Sequence, residues 1–160
     1  MTGRCLAALA MIACAWGAWA QEPAPAANAD GAALFQANCA VCHGPKGLGQ
    51  PSLAPPLTSY PGRYAGLAEG RRQLAATVLY GMFGRIDVEG KHFDFKMPEF
   101  GQLDDAKLAA VLDFVVFDVA KAPATTAPLT ADEIKAVRAT PMSGAEVREQ
   151  RTKVLTQLGQ

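Results

Sequence analysis

The chain has 160 residues, enough for one domain and a further segment. Half of them are hydrophobic, so composition allows a packed core. Lys plus Arg and Asp plus Glu number 15 each; a balance this neutral suggests neither a nucleic-acid partner nor an anionic membrane surface.

Residues 1–20 read as an export signal. Arg4 supplies the positive start, residues 5–19 carry no charge, and Ala18-Trp19-Ala20 before Gln21 has the small-x-small cleavage pattern. A membrane anchor is the first alternative, but a span needs about 20 apolar residues, and this run is shorter and holds Gly17. A lipoprotein-type signal with Cys14 as the lipidated residue is a third, since Ile12-Ala13-Cys14 fits it loosely. Cleavage removes Arg4, Cys5 and Cys14, leaving 14 basic against 15 acidic side chains and only Cys39 and Cys42 as thiols. In an oxidising compartment such thiols are expected to pair or to be occupied.

Residues 21–29, rich in Pro and Ala, read as a flexible leader, with the folded part starting near Asp30 as the N-cap of a first helix. Residues 44–66 are expected to form a long loop because Gly and Pro recur there. A second helix is predicted over residues 71–83, and residues 86–93 alternate around Glu89-Gly90 as a short hairpin. The clearest helix covers residues 103–117, with Asp104 as cap and Leu108, Val111, Leu112 and Val115 as its apolar stripe. Residues 119–129 read as a linker. Beyond it, Thr130 with Glu133 and Ser143 with Glu146 spell two capping boxes, so residues 130–160 are expected to form a helical C-terminal extension.

The chemistry is concentrated in Cys39-Ala40-Val41-Cys42-His43. This spacing is the attachment signature of c-type haem: the thiols add to the two vinyl groups and the adjacent imidazole lies under the iron. Structural zinc would need four ligands, and the only other Cys or His after cleavage is His92. A thioredoxin-type centre would need a strand-rich βαβ setting, which the pattern lacks.

With these residues, residues 30–118 resemble a class I cytochrome c. The similarity is carried by "GAALFQANCAVCHGPKGLG" (31–49), "LAPPL" (53–57), "KMPEF" (96–100) and "LDDAKLAAVLDFVVF" (103–117). It is nearest to the small haem subunits and domains of bacterial periplasmic oxidoreductases. The resemblance implies an all-α cytochrome c fold with about three core helices around one covalent haem c. It also implies that the Pro55 carbonyl holds His43, that Leu57 packs on the histidine side of the haem, and that Phe95 and Phe100 flank the opposite side. Tyr60, Arg63 and Tyr64 are candidates for the haem propionates.

His43 occupies one axial position, and Met82, His92, Met97 and Met142 are candidates for the other. Met97 is favoured because Pro98 fixes the backbone after it and the family places its methionine in such a pair. Met82 is expected to pack within the second helix, Met142 to act as a helix staple, and His92 to be the main rival. His/Met ligation favours Fe(II) and fills both faces of the iron. That points to an electron carrier rather than an enzyme: a periplasmic protein serving redox partners, either diffusible or bound as a subunit through residues 130–160. The alternative is a haem-based gas sensor or peroxidase-like enzyme with a displaceable sixth ligand.

Overall fold

The computed structural model describes residues 26–160, so the stretch read as an export signal and residues 21–25 lie outside the described residues. Among the described residues the fold is all-α apart from one hairpin. Helix α1 (Ala26–Asn38) runs directly into the short α2 (Ala40–His43). After a loop come α3 (Tyr60–Ala65) and α4 (Ala68–Tyr80), then β1 (Ile86–Val88) paired antiparallel with β2 (Lys91–Phe93). Helix α5 (Asp105–Asp113) continues as a π-helical turn, Phe114–Val119, and α6 (Ala131–Arg138) and α7 (Gly144–Gln157) complete the chain.

Several boundaries differ from expectation. Helix α1 starts at Ala26, inside the stretch read as a leader, so Asp30 is within the helix and not its cap; Ala-rich sequence favours helix. Helix α3 interrupts the long loop. Pro61 stands in its first turn, where the missing N–H costs nothing. Helix α4 ends at Tyr80, because Gly81 turns the chain at φ 68°. Met82 therefore lies beyond the helix and not on its apolar side.

Helices α1 and α5 cross at Gly31. A Cβ there would strike the carbonyl of Ala110, so only glycine permits the approach. Phe35, fully buried, packs beside the crossing with its ring centroid 5.3 Å from that of Phe114. Asp104 caps α5 as expected, accepting from the Lys107 amide at 2.8 Å. At Glu89 and Gly90 the hairpin turns with φ 51° and 74°, as two-residue turns between right-twisted strands require.

Both capping boxes form, at Thr130–Glu133 and Ser143–Glu146. The buried faces of α6 and α7, including Ile134, Val137, Val147 and Val154, share one core with Leu74 and Leu79 of α4 and Leu108 and Leu112 of α5. Polar contacts fasten the joint. Asp113, itself buried, accepts from the Leu129 amide at 2.7 Å. Arg138 reaches Asp105 at 2.8 Å and the carbonyls of Gly101 and Leu103 at 2.6 and 2.8 Å. Tyr80 places its hydroxyl 3.0 Å from the carbonyls of Val137 and Arg138. The last two helices thus complete the core that α4 and α5 leave open on one side. Among the described residues no helix is long and apolar enough to cross a membrane.

Candidate functional site

The cysteine pair sits on a single helical turn. The Cys39 amide donates to the Phe35 carbonyl at 2.8 Å, continuing α1, and the His43 amide donates to the Cys39 carbonyl at 2.9 Å, closing α2. That continuity aligns both sulfurs and the imidazole along the wall of one cleft. The thiols are not bridged. Burial, with Cys42 alongside, pushes the Cys39 thiol up to about 11, the reverse of the lowered pKa by which redox-active Cys-x-x-Cys pairs work. Among the described residues no group of three or more His, Cys, Asp or Glu could hold a bare metal ion.

His43 is only 7% exposed. Its Nδ1 lies 2.9 Å from the Pro55 carbonyl. Because a carbonyl only accepts, Nδ1 carries the proton and Nε2 keeps its lone pair. Burial lowers the pKa of the ring, against the Pro55 hydrogen bond, so the ring is neutral and able to ligate.

Two thioethers line the same cleft. Met97 and Met82 form an isolated antiparallel bridge, with Met97 N donating to Met82 O at 2.8 Å and Met82 N to Met97 O at 3.2 Å. Residues directly opposite across such a bridge present their side chains to the same face, and both methionines line the cleft. The expectation that Met82 packs within a helix is thereby replaced: it is the immediate neighbour of Met97. His92, the other rival, is on the outer side of the hairpin with its side chain 63% exposed and its ring against Asp87 and Arg85. Met142 packs against the main core and does not border the cleft.

Pro55, Leu57, Phe95 and Phe100 all line the cleft, as do Tyr60 and Tyr64. Arg63 does not; its guanidinium is directed to the C-terminal end, 3.5 Å from the Leu158 carbonyl. Missed in the sequence are Ile86, Val88 and Phe93, which the hairpin turns inward as a buried cluster, and Gln73 and Thr77 of α4. The inward alternation of the hairpin was the available signal. A residue of α7, Arg151, also lines the cleft.

The protein-family description "Cytochrome C oxidase, cbb3-type, subunit III" matches residues 26–115, more than half of the chain. The chain belongs to this family of c-type cytochromes. This cytochrome is 36% identical over 130 residues to cytochrome c-552 of Thermus thermophilus, covering 80% of this chain and 87% of that protein. It is also 33% identical over 119 residues to the fructose dehydrogenase cytochrome subunit of Gluconobacter japonicus, covering 69% of this chain but 22% of that longer protein.

Membership implies covalently bound haem c and a role in electron transfer, and the cytochrome's cleft fits such a group. It is bordered by His43 of α2, Val78 of α4, Ile86 and Phe93 of the hairpin, Met97, and Arg151 of α7. Its walls are mainly apolar, as a macrocycle requires. The Tyr64 hydroxyl and the Gln73 amide oxygen are buried there without hydrogen-bond partners, so the polypeptide alone leaves the cleft incomplete.

Proposed function

We propose that this cytochrome is a periplasmic electron-transfer protein in which Cys39 and Cys42 anchor one haem c, and His43 and Met97 are the axial ligands of its iron. The observation that carries the reading is that a buried, neutral His43, fixed by the Pro55 carbonyl, and the Met97 thioether line one apolar cleft. Bound haem c supplies a one-electron Fe(III)/Fe(II) couple.

The residues around it set how that couple behaves. Pro55 orients the imidazole and selects its tautomer. Leu57 packs with Phe35 and Val111 on one side, while the half-buried Phe100 and, at the exposed rim, Phe95 flank the other. Met97, a soft ligand, favours the reduced iron. Pro98 stiffens its backbone, and the bridge to Met82 positions its strand. Two protein ligands leave no place at the iron for a substrate, which supports a carrier over a catalyst.

Export follows from the pattern of residues 1–20. Partners are redox proteins, a donor dehydrogenase and an acceptor oxidase or carrier; the likeness to a dehydrogenase's cytochrome subunit supports this class. The apolar faces of α6 and α7 are used within the protein's own core, which favours a diffusible carrier over a subunit attached through residues 130–160.

Carbon monoxide added to the reduced holoprotein at neutral pH tests the reading. No binding is expected of a His/Met-ligated carrier. Rapid, complete binding would favour the sensor or peroxidase-like alternative.

A further inference from the structure

Helix α7 carries a charge where its pattern calls for an apolar residue. Val147, Arg151 and Val154 share one stripe at i, i+4 and i+7, and all three are buried, Arg151 at 8% exposure. Guanidinium groups are rarely buried unless paired, because desolvation strongly disfavours an uncompensated charge. Yet the hydrogen bond that Arg151 makes among the described residues is from Nη2 to the backbone carbonyl of Asp87, at 3.0 Å. No carboxylate stands within ion-pair distance of it among the described residues. That of Asp87 is turned outward to His92 and Arg85.

What Arg151 faces instead is the cleft. Its guanidinium carbon lies 5.8 Å from the centre of the Tyr60 ring, and with Tyr60 and Tyr64 it lines the void. The Tyr64 hydroxyl is buried and lacks a partner. Burial also raises its pKa, so it remains a donor. A charged donor with only the Asp87 carbonyl as acceptor and a neutral donor with none thus border one void. A planar, always-charged guanidinium matches a carboxylate in both charge and shape. Lys96 borders the same cleft but is exposed, and Arg63 points away from it.

We propose that Arg151 is the counter-ion of a haem propionate, with the Tyr64 hydroxyl as a second donor to that carboxylate, so that the C-terminal helix closes the cofactor site itself. This rests on haem c occupying the cleft and is independent of which side chain is the sixth ligand. A guanidinium beside a propionate offsets its negative charge, which would otherwise stabilise Fe(III). Arg151 therefore raises the reduction potential and helps to retain the group.

The test uses the intact reduced, diamagnetic holoprotein. Proton NMR is expected to show nuclear Overhauser contacts between the Arg151 guanidinium N–H protons and the propionate methylene protons; their absence, with haem attached and the fold intact, would overturn the proposal. Arg151→Gln should lower the midpoint potential and shift the propionate bending band in the resonance Raman spectrum, and Arg151→Lys should recover part of the potential. An unchanged potential and an unchanged band in Arg151→Gln would equally overturn it. If that variant retains no haem, the wild-type NMR contacts decide alone. Failure of the iron–thioether assignment would appear in the electronic spectrum and leave these contacts in place.

Discussion

Arg71 of α4 and Glu133 of α6 form a bidentate ion pair, with Nε 2.6 Å from Oε1 and Nη2 2.7 Å from Oε2. The remaining Arg71 nitrogen and Nη2 donate to the carbonyls of Ala127 and Pro128 at 2.7 and 2.8 Å. One side chain thereby ties the helix beside the cleft to the segment that leads into the last two helices. The Arg71 hydrogen bonds pull the Glu133 carboxyl down to about 2 from the ordinary 4.5.

A group whose pKa is depressed on folding stabilises the native state above its unfolded pKa and loses that contribution as pH falls through the folded one. The Glu133 contribution should therefore be complete above about pH 4.5 and disappear as pH falls toward about 2. Its side chain is 39% exposed, so solvent screening limits the expected cost of Glu133→Gln at pH 7 to about 1 kcal/mol. Denaturant unfolding of both proteins across this pH range checks it. The difference between them should shrink in acid, and a constant difference would contradict the assignment.

Gly31→Val should destabilise the holoprotein by about 1–3 kcal/mol, the usual cost of overpacking, because the new Cβ must displace the Ala110 carbonyl and crowd Phe114. The unfolding midpoint should fall with an unchanged denaturant slope. A midpoint equal to that of the parent would mean that the α1–α5 crossing is looser than described.

Gly81→Ala acts on the site through the backbone. The residue adopts φ 68°, and a Cβ would press on the Met97 carbonyl and on Pro98. The strain, about 1–2 kcal/mol from a left-handed conformation, falls on the strand that carries Met97. The reduced variant should bind carbon monoxide measurably where the parent does not. If binding is absent in both, the backbone at residue 81 does not govern the sixth ligand.

Val41 is 74% exposed beside the cysteine pair, at the edge where an electron would leave. Val41→Lys should slow electron exchange with redox partners by roughly fivefold, equivalent to about 1 kcal/mol, without changing the visible spectrum. Stopped-flow kinetics measures it, and unchanged rates would remove this edge as the contact surface.

The parts legible in the sequence were those specified by neighbours in the chain. Cys39, Cys42 and His43 announce their chemistry within five residues, and the Thr130 and Ser143 boxes are local hydrogen-bond patterns that form as read. Helix α3 was hidden because Pro61 and Gly62 look like breakers. In place, Pro61 opens the helix and Gly62 is buried close to the Ala120 carbonyl, a contact that chain order does not reveal. Met82 was misplaced because its periodicity continues that of α4 past Gly81. Arg151 lies 108 residues from His43, and only the packing of α7 on α4 brings it to the cleft. Its one local sign was a charge in an apolar stripe, which reads equally well as a solvated residue.

The two thioethers provide the sharpest test of the central claim. In the ferric holoprotein, Met97→Ala should abolish the far-red sulfur-to-iron charge-transfer band and Met82→Ala should retain it, with both variants keeping covalently attached haem. Loss of the band in Met82→Ala together with its persistence in Met97→Ala would contradict the assignment of Met97 to the iron.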